Sequence, residues 1–290
     1  ATPMVAYVVV DGKTVMSGSR MTIIAGVFSI CAILCYIVCF KLTRERVEVP
    51  ASSQKVSASA IFKSIFTNRA LLGIIVAAIF VLLSQLTVMS LAGYVYPNVY
   101  GSAAAQSTAS LLGTVVMLIV CAPFASKLAA KFGKKELAVA SSICSALVWL
   151  VCLIWRPASV WGFVACYILA NVGMGFFNTI IWAMITDVID DAEVRSGIRE
   201  DGTIYSVYSF ARKLGQAFSS GLVGALLGII GYTEATAFDP AVTRGIFNMA
   251  CIAPIIGFVC IVLALVFLYP LNKKKVEENV AALAARRNNK

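Results

Sequence analysis

The sequence predicts an all-α membrane protein with seven transmembrane helices, and three observations carry that prediction. Of 290 residues, 60% are hydrophobic and 13% are charged, a balance that soluble domains do not show. The stretches between charged residues are mostly the length of one helical crossing, roughly 20 residues. All of the 24 Lys and Arg residues except Lys13, Arg20, Arg156 and Arg244 fall on one side of the resulting arrangement, as cytoplasmic retention of basic loops requires.

In chain order the spans lie near 21–41, 70–94, 105–126, 137–155, 159–186, 204–230 and 245–270. The apolar run from Ala70 to Ser126 is too long for one crossing and divides at 94–102, where tyrosines cluster with Pro97, Asn98 and Gly101 in the manner of an interfacial turn. Residues 1–20 read as an outer-side remnant and loop, because the chain opens Ala-Thr-Pro with no basic leader ahead of an N-terminus expected outside. The span at 21–41 is then the last helix of an N-terminal bundle. Residues 42–69 form a basic, Ser-rich cytoplasmic loop between bundles, with Ile61, Phe62, Ile65 and Phe66 on one face of a short interfacial helix. Residues 70–270 form a C-terminal six-helix bundle, in which two sets of three spans, 70–155 and 159–270, fit the inverted repeats of secondary transporters. An inner loop is expected at 126–136, around Gly133 and the neighbouring lysines, and 271–290 is a cytoplasmic tail at the membrane surface.

The net charge of +10 is a topology signal and an attraction to anionic membrane lipid, with no nucleic acid expected as partner. The sequence has no His, which excludes imidazole relays, imidazole metal sites and Ser-His catalysis. With no pair of buried carboxylates either, no enzyme activity and no cofactor are expected. Cys31, Cys35 and Cys39 share one helix face at four-residue spacing and read as packing residues rather than a thiolate metal site.

Polar residues inside spans need partners or water. In the sixth span Ser206, Ser209, Lys213, Gln216 and Ser220 form one stripe, following an N-cap expected at Thr203. Lys213 is expected inside the bundle and the adjacent Arg212 to reach the inner headgroups. Ser220, Gly224 and Gly228 repeat every four residues, as in close helix contacts. The fifth span carries Asn171, Gly175, Asn178 and Trp182 on one face. Two such stripes predict a shared aqueous cavity, in which amides and hydroxyls bond a sugar and an indole stacks on it. Lys213, Trp182, Asn178, Ser209, Gln216 and Asn171 are therefore the candidate substrate-binding residues.

Asp187, Asp190 and Asp191 stand at the expected inner end of the fifth span, where the helix dipole disfavours acids. With Glu193, Arg195 and Arg199 they are candidates for a gate of ion pairs that form in one conformation and break in another.

This stretch resembles the signature between the tenth and eleventh helices of the glycoside-pentoside-hexuronide:cation symporters, the melibiose-carrier-like branch of the major facilitator superfamily. Asp187, Asp190, Glu193, Gly197, Arg199, Gly202, Tyr205, Ser206, Phe210, Lys213 and Gly215 stand in register with it. Thr186, Asp191 and Ser196 depart from the pattern, and Asp201 precedes Gly202 where the pattern has Glu. The resemblance implies that the seven spans are helices 6 to 12 of a twelve-helix major-facilitator fold in the plasma (inner) membrane. It implies uptake of a glycoside, pentoside or hexuronide with sodium or a proton by alternating access, with Lys213 near the midplane site. The coupling-ion site is then expected in an N-terminal six-helix half absent here, which would be this chain's partner. The alternatives are a lysolipid or other amphiphile symporter of the same fold and, in a different class, a seven-helix receptor.

Overall fold

The computed structural model describes residues 7–10, 13–16, 18–43, 68–199, 201–233 and 235–288, in two units, 1–55 and 56–290. The interfacial helix expected at 61–66 lies outside the described residues.

In the first unit, β1 (Tyr7–Val10) and β2 (Lys13–Met16) pair antiparallel, Tyr7 opposite Met16 and Val10 opposite Lys13. This ribbon lies within the segment 1–20 read as an outer-side remnant and loop. Tyr7 and the three valines after it are β-formers. The helix α1 (Gly18–Leu42) follows. At 1.5 Å per residue it is about 37 Å long, enough to cross a bilayer. It is apolar over most of its length, with Phe28, Ile33 and Phe40 among its exposed side chains.

The second unit is helical. Asn68 starts α2 (Arg69–Tyr94) by accepting the Ala70 and Leu71 amides on Oδ1 at 3.0 and 3.2 Å. A π-helical turn, Val95–Val99, continues it around Pro97. Of the tyrosines expected at the interface, Tyr96 is buried edge-on to Phe163, while Tyr94 and Tyr100 are half-buried, Tyr94 edge-on to Tyr232 and Tyr100 donating to the Pro157 carbonyl. Their rings fill the gap between α2 and its neighbours because Phe163, Trp149 and Phe247 supply a matching aromatic core.

Helix α3 (Ala103–Phe132) extends through the expected 126–136 loop, and Gly133 at φ 106° is the whole link to α4 (Lys134–Trp155). Lys131 in the last turn suits the helix dipole, so the basic segment continues the helix instead of breaking it. Helix α5 (Val160–Ser196) has Ser159 as N-cap and Gly197, in the left-handed region, as C-cap. It runs ten residues past its expected end, so the acids lie within it and not at its terminus. Arg195 pairs with Asp191 one turn earlier at 2.9 Å, the i,i+4 geometry that makes a charged helical end tolerable.

Helix α6 (Asp201–Ile229) starts two residues before the expected Thr203 cap. Helix α7 (Pro240–Leu263) has Pro at its first position and ends in a π-helical turn, Ala264–Leu268. Helix α8 (Lys273–Asn288) is held to α5, with Asn279 and Leu283 buried.

Among the described residues six helices, α1 to α5 and α7 with their π-turns, are long and apolar enough to cross a membrane. Helix α6 is equally long but carries Arg212, Lys213, Gln216 and several serines. The packing has an internal order. Helix α2 packs on α6 and α7, α5 packs on α3 and α4, and α4 packs on α7. Exchanging α2, α3, α4 with α5, α6, α7 maps the first four of these contacts onto one another and the α4–α7 contact onto itself. A pair of three-helix repeats produces that pattern.

Candidate functional site

The six candidate binding residues occupy three places. Asn171 and Asn178 are half-buried on α5. Asn171 donates to the carbonyl of Tyr167 in its own helix at 2.7 Å, and Asn178 reaches Gln85 of α2 at 3.5 Å. Ser84, Gln85, Trp149, Tyr167 and Asn171 line a cavity of about 60 Å³ between α2, α4 and α5. That is room for about two waters at roughly 30 Å³ each, whereas small-molecule pockets run to about 300 Å³ or more. Gly175, on the same stripe, faces α3, where an added Cβ would meet Cys121 and Met117 at 2.7 and 2.8 Å. The α5 stripe thus lies in a groove between α2 and α3.

Trp182, one turn beyond Asn178, is half-exposed and stands edge-on to Tyr208 of α6 with ring centroids 5.6 Å apart. The Arg212 guanidinium lies over both rings, 5.4 and 5.8 Å from their centroids, and donates to the Tyr208 hydroxyl at 3.3 Å. Arg212 was expected to reach headgroups. Instead two aromatic faces hold it at the crossing of α5 and α6, because the 100° step from Lys213 turns it toward Trp182.

Ser209 and Lys213 are exposed and Gln216 half-buried, on the face of α6 opposite the one that packs on α2. Lys213 donates to Gln216 at 3.1 Å. Lys213 is therefore on the outward face of this unit, not inside it. The inward face is Ile204, Tyr208, Ala211, Gly215, Ser219 and Val223. There Ser219 meets Thr87 of α2 at 3.2 Å, and Gly215 lets the Ile79 backbone approach. The close contact expected along Ser220, Gly224 and Gly228 is displaced to Gly215, since nothing lies within 4 Å of a Cβ at Gly224 or Gly228. The two polar stripes do not face each other: α6 packs along α2, and meets α5 at Trp182 and Tyr208.

The charged residues gather at the α5 C-terminal end. Asp187, 5% exposed, accepts Lys134 of α4 on Oδ1 at 2.6 Å, while its Oδ2 has no hydrogen-bond partner. Asp191, 1% exposed, accepts Asn279 of α8 on Oδ1 at 3.1 Å and has Arg195 beside Oδ2. Arg199 contacts Asp190, Glu193 and Asp201 at 2.9, 2.8 and 2.9 Å. Hydrogen bonds to Glu193, then Asp190 and Asp201, raise the pKa of its guanidinium above an already high ordinary value. Arg286 of α8 donates to the last carbonyls of α5, those of Glu193 and Val194.

Tyr269 ties this end together. Its hydroxyl donates to the Met184 carbonyl at 3.3 Å, its own carbonyl accepts Lys135, and Gly73 of α2 packs on its backbone. Burial first, then the charges of Asp187, Asp191 and Glu136, push the hydroxyl well above its ordinary pKa, so it remains a donor. Sequence reasoning missed Gln85, Tyr208, Asp201, Asn279 and the pairing role of Lys134. Gln85, an amide in the middle of an apolar span, carried a legible signal.

Apolar helices packed in exchangeable triplets, a polar-faced helix beside them and a charged end define a multi-pass membrane protein of the secondary-transporter class. The chain belongs to the MFS/sugar transport protein family, whose sequence model matches residues 1–273, within the glycoside-pentoside-hexuronide symporters of the major facilitator superfamily. It is similar to the glucuronide carrier protein homolog of Escherichia coli strain K12, at 27% identity over 90% of this chain and 56% of the relative. It is also similar to a putative sulfoquinovose importer of Salmonella typhimurium, at 28% over 91% of this chain and 56% of the relative. A third relative is the isoprimeverose transporter of Lactiplantibacillus pentosus, at 23% over 97% of this chain and 60% of the relative. The chain thus spans about half the length of the curated relatives it matches. Membership in a transporter family replaces the receptor alternative.

Proposed function

We propose that this chain supplies helices 6 to 12 of a twelve-helix carrier that couples uptake of a glycoside, pentoside or hexuronide to sodium or a proton by alternating access. The observation that carries the reading is the outward polar face of α6. A helix bearing Ser206, Ser209, Lys213, Gln216 and Ser220 on one side cannot present that side to hydrocarbon without large cost. It needs water or another protein surface, and a bundle twice this size provides both.

In this reading the α6 face and Trp182 line a central cavity, with the indole stacking on a sugar ring. Lys213 then faces an acidic substituent, as on the glucuronide and sulfoquinovose for which two relatives are named. Asn171 and Asn178 act behind them through Gln85 and the small cavity. The coupling ion binds outside this chain. The pairs of Lys134 with Asp187 and of Arg199 with Asp190 and Glu193 close the cytoplasmic mouth in one conformation and open in the other, Arg195 steadying Asp191. The carrier sits in the plasma membrane with its C-terminus cytoplasmic.

The test is uptake of labelled glycosides and glucuronides by cells expressing the gene in its full reading frame, with and without sodium. Ion-driven uptake is expected, and Lys213→Ala should lower uptake of an acidic sugar about tenfold or more, the value of a charged hydrogen bond. A well-expressed protein that moves no sugar at all would refute the reading.

A further inference from the structure

Two of the four basic residues that break the charge asymmetry of the sequence meet at one point in the fold. Arg156 closes α4 and Arg244 lies in the first turns of α7, at the opposite end of these helices from Lys134 and Tyr269. Both line a cavity of about 370 Å³ with Val99, Tyr100, Pro157 and Phe247. Among the described residues no carboxylate lines it. Among the described residues neither arginine is in an ion pair. Arg156 uses one Nη on Asn248 at 3.2 Å and a long Nε contact on the Leu153 carbonyl at 3.4 Å.

The backbone at Arg156 points the same way. It has φ 49°, the single positive value among the described non-glycine residues. This is the helix C-cap conformation that glycine adopts without strain. An arginine there lines the pocket at a backbone cost, and strain of that kind gathers at functional positions.

Two arginines lining one open pocket, with no carboxylate among its described lining residues, favour an anion between them. Guanidinium forks match phosphate oxygens bidentately. Val99 and Phe247 make part of the wall apolar. Beyond it, α4 and α7 pack together and expose Leu150, Val151 and Ile154 on one and Ile256 and Val259 on the other. Fatty acyl chains fit such a surface, whereas a free phosphate has no use for it. The geometry points to a binding site for an anionic phospholipid, with its phosphate between Arg156 and Arg244 and its chains along α4 and α7. This site is separate from the sugar pathway and rests on the membrane fold alone.

The test is native mass spectrometry of the purified full chain in detergent, titrated with phosphatidylglycerol or with phosphatidylcholine of the same acyl chains. The wild type should bind phosphatidylglycerol more tightly. Arg244→Gln, which removes no hydrogen bond to a described residue, should weaken that binding about fivefold, and Arg156→Gln with Arg244→Gln about twentyfold, at roughly the value of one cation near a lipid surface for each. Lys274→Gln with Lys275→Gln, at the other end of the bundle, should leave it unchanged. Equal binding of the two lipids, or retained preference in the arginine variants with an unaltered melting temperature, would overturn the site. Inorganic phosphate bound as tightly as phosphatidylglycerol would assign it to a free anion and overturn the lipid reading.

Discussion

The pair of Lys134 and Asp187 makes an asymmetric prediction. The carboxylate side chain is 6% exposed and the ammonium side chain 32%. At their 2.6 Å separation and an effective dielectric constant of about 20, the attraction is about 6 kcal/mol before desolvation. Removing one partner of a buried pair typically costs about 3–5 kcal/mol, because the other charge stays behind. Lys134→Met leaves Asp187 enclosed with one oxygen already lacking a hydrogen bond. Since Lys134 was itself a third exposed, the expected cost is about 2–4 kcal/mol. Asp187→Asn leaves an ammonium that can turn to water or to the Ala183 carbonyl, already 3.5 Å away, and should cost only about 1 kcal/mol.

The assay is thermal unfolding of the purified chain in detergent. A loss of 1 kcal/mol moves the melting temperature by about 2–4 °C for a domain of this size. Lys134→Met should therefore melt some 4–16 °C lower and Asp187→Asn about 2–4 °C lower. The double variant Lys134→Met with Asp187→Leu should recover most of the loss, because neither charge remains. A larger drop for Asp187→Asn than for Lys134→Met would refute the reasoning, as would a double variant no better than Lys134→Met.

Two further outcomes test the packing. Gly215→Val should cost about 1–3 kcal/mol, since its Cβ would meet the Ile79 carbonyl oxygen at 2.8 Å and backbone cannot step aside. Gly224→Ala, with nothing within 4 Å, should be neutral or gain up to about 1 kcal/mol of helix propensity; the reverse order of melting temperatures would mean that α6 packs through the other face. Asn279→Leu deprives buried Asp191 of its amide donor and should cost about 1–3 kcal/mol, with faster amide exchange across α8. Unchanged exchange there would show that α8 is held by its apolar residues alone.

What was legible in the sequence follows from what a bilayer demands. Apolar runs of spanning length placed α1 to α5 and α7, and their ends closely where a cap coincides with the end of the run, as at Trp155 before the left-handed Arg156 and at Arg69 after the Asn68 cap. Boundaries failed where charge was taken as the end of a helix. Helix α5 continues through Asp187, Asp190 and Asp191 because Lys134, Arg199, Asn279 and Arg195 come from four directions to hold them. Two of those four partners, Lys134 and Asn279, are distant enough in sequence that spacing carries no trace of them. The α6 stripe was visible from its period, and its outward direction was not. A period tells which residues share a face, while the face that turns inward is chosen by fit, here by Gly215 against Ile79 and by Tyr208 beneath Trp182.

The exchange pattern of the packing explains why polarity was concentrated in α6. Under the exchange, α6 on α2 corresponds to α3 on α5, so α3 and α6 are the two helices that lean mainly on one central neighbour and leave the far side open. On α3 that side includes Leu111, Val115, Leu118 and Ile119 beside Ser107, Ser110 and Thr114, apolar enough to face hydrocarbon over most of its length. On α6 it includes Ser206, Ser209, Lys213 and Ser220, which hydrocarbon cannot solvate. Two helices equivalent in packing thus differ in what they are built to face. The difference is made by side chains that contribute nothing to the contacts holding either helix in place, and a residue that costs stability without packing is the mark of a functional surface. The same logic separates Arg212 from Lys213. Aromatic rings hold the first, while the second, among the described residues, bonds only Gln216 on its own helix.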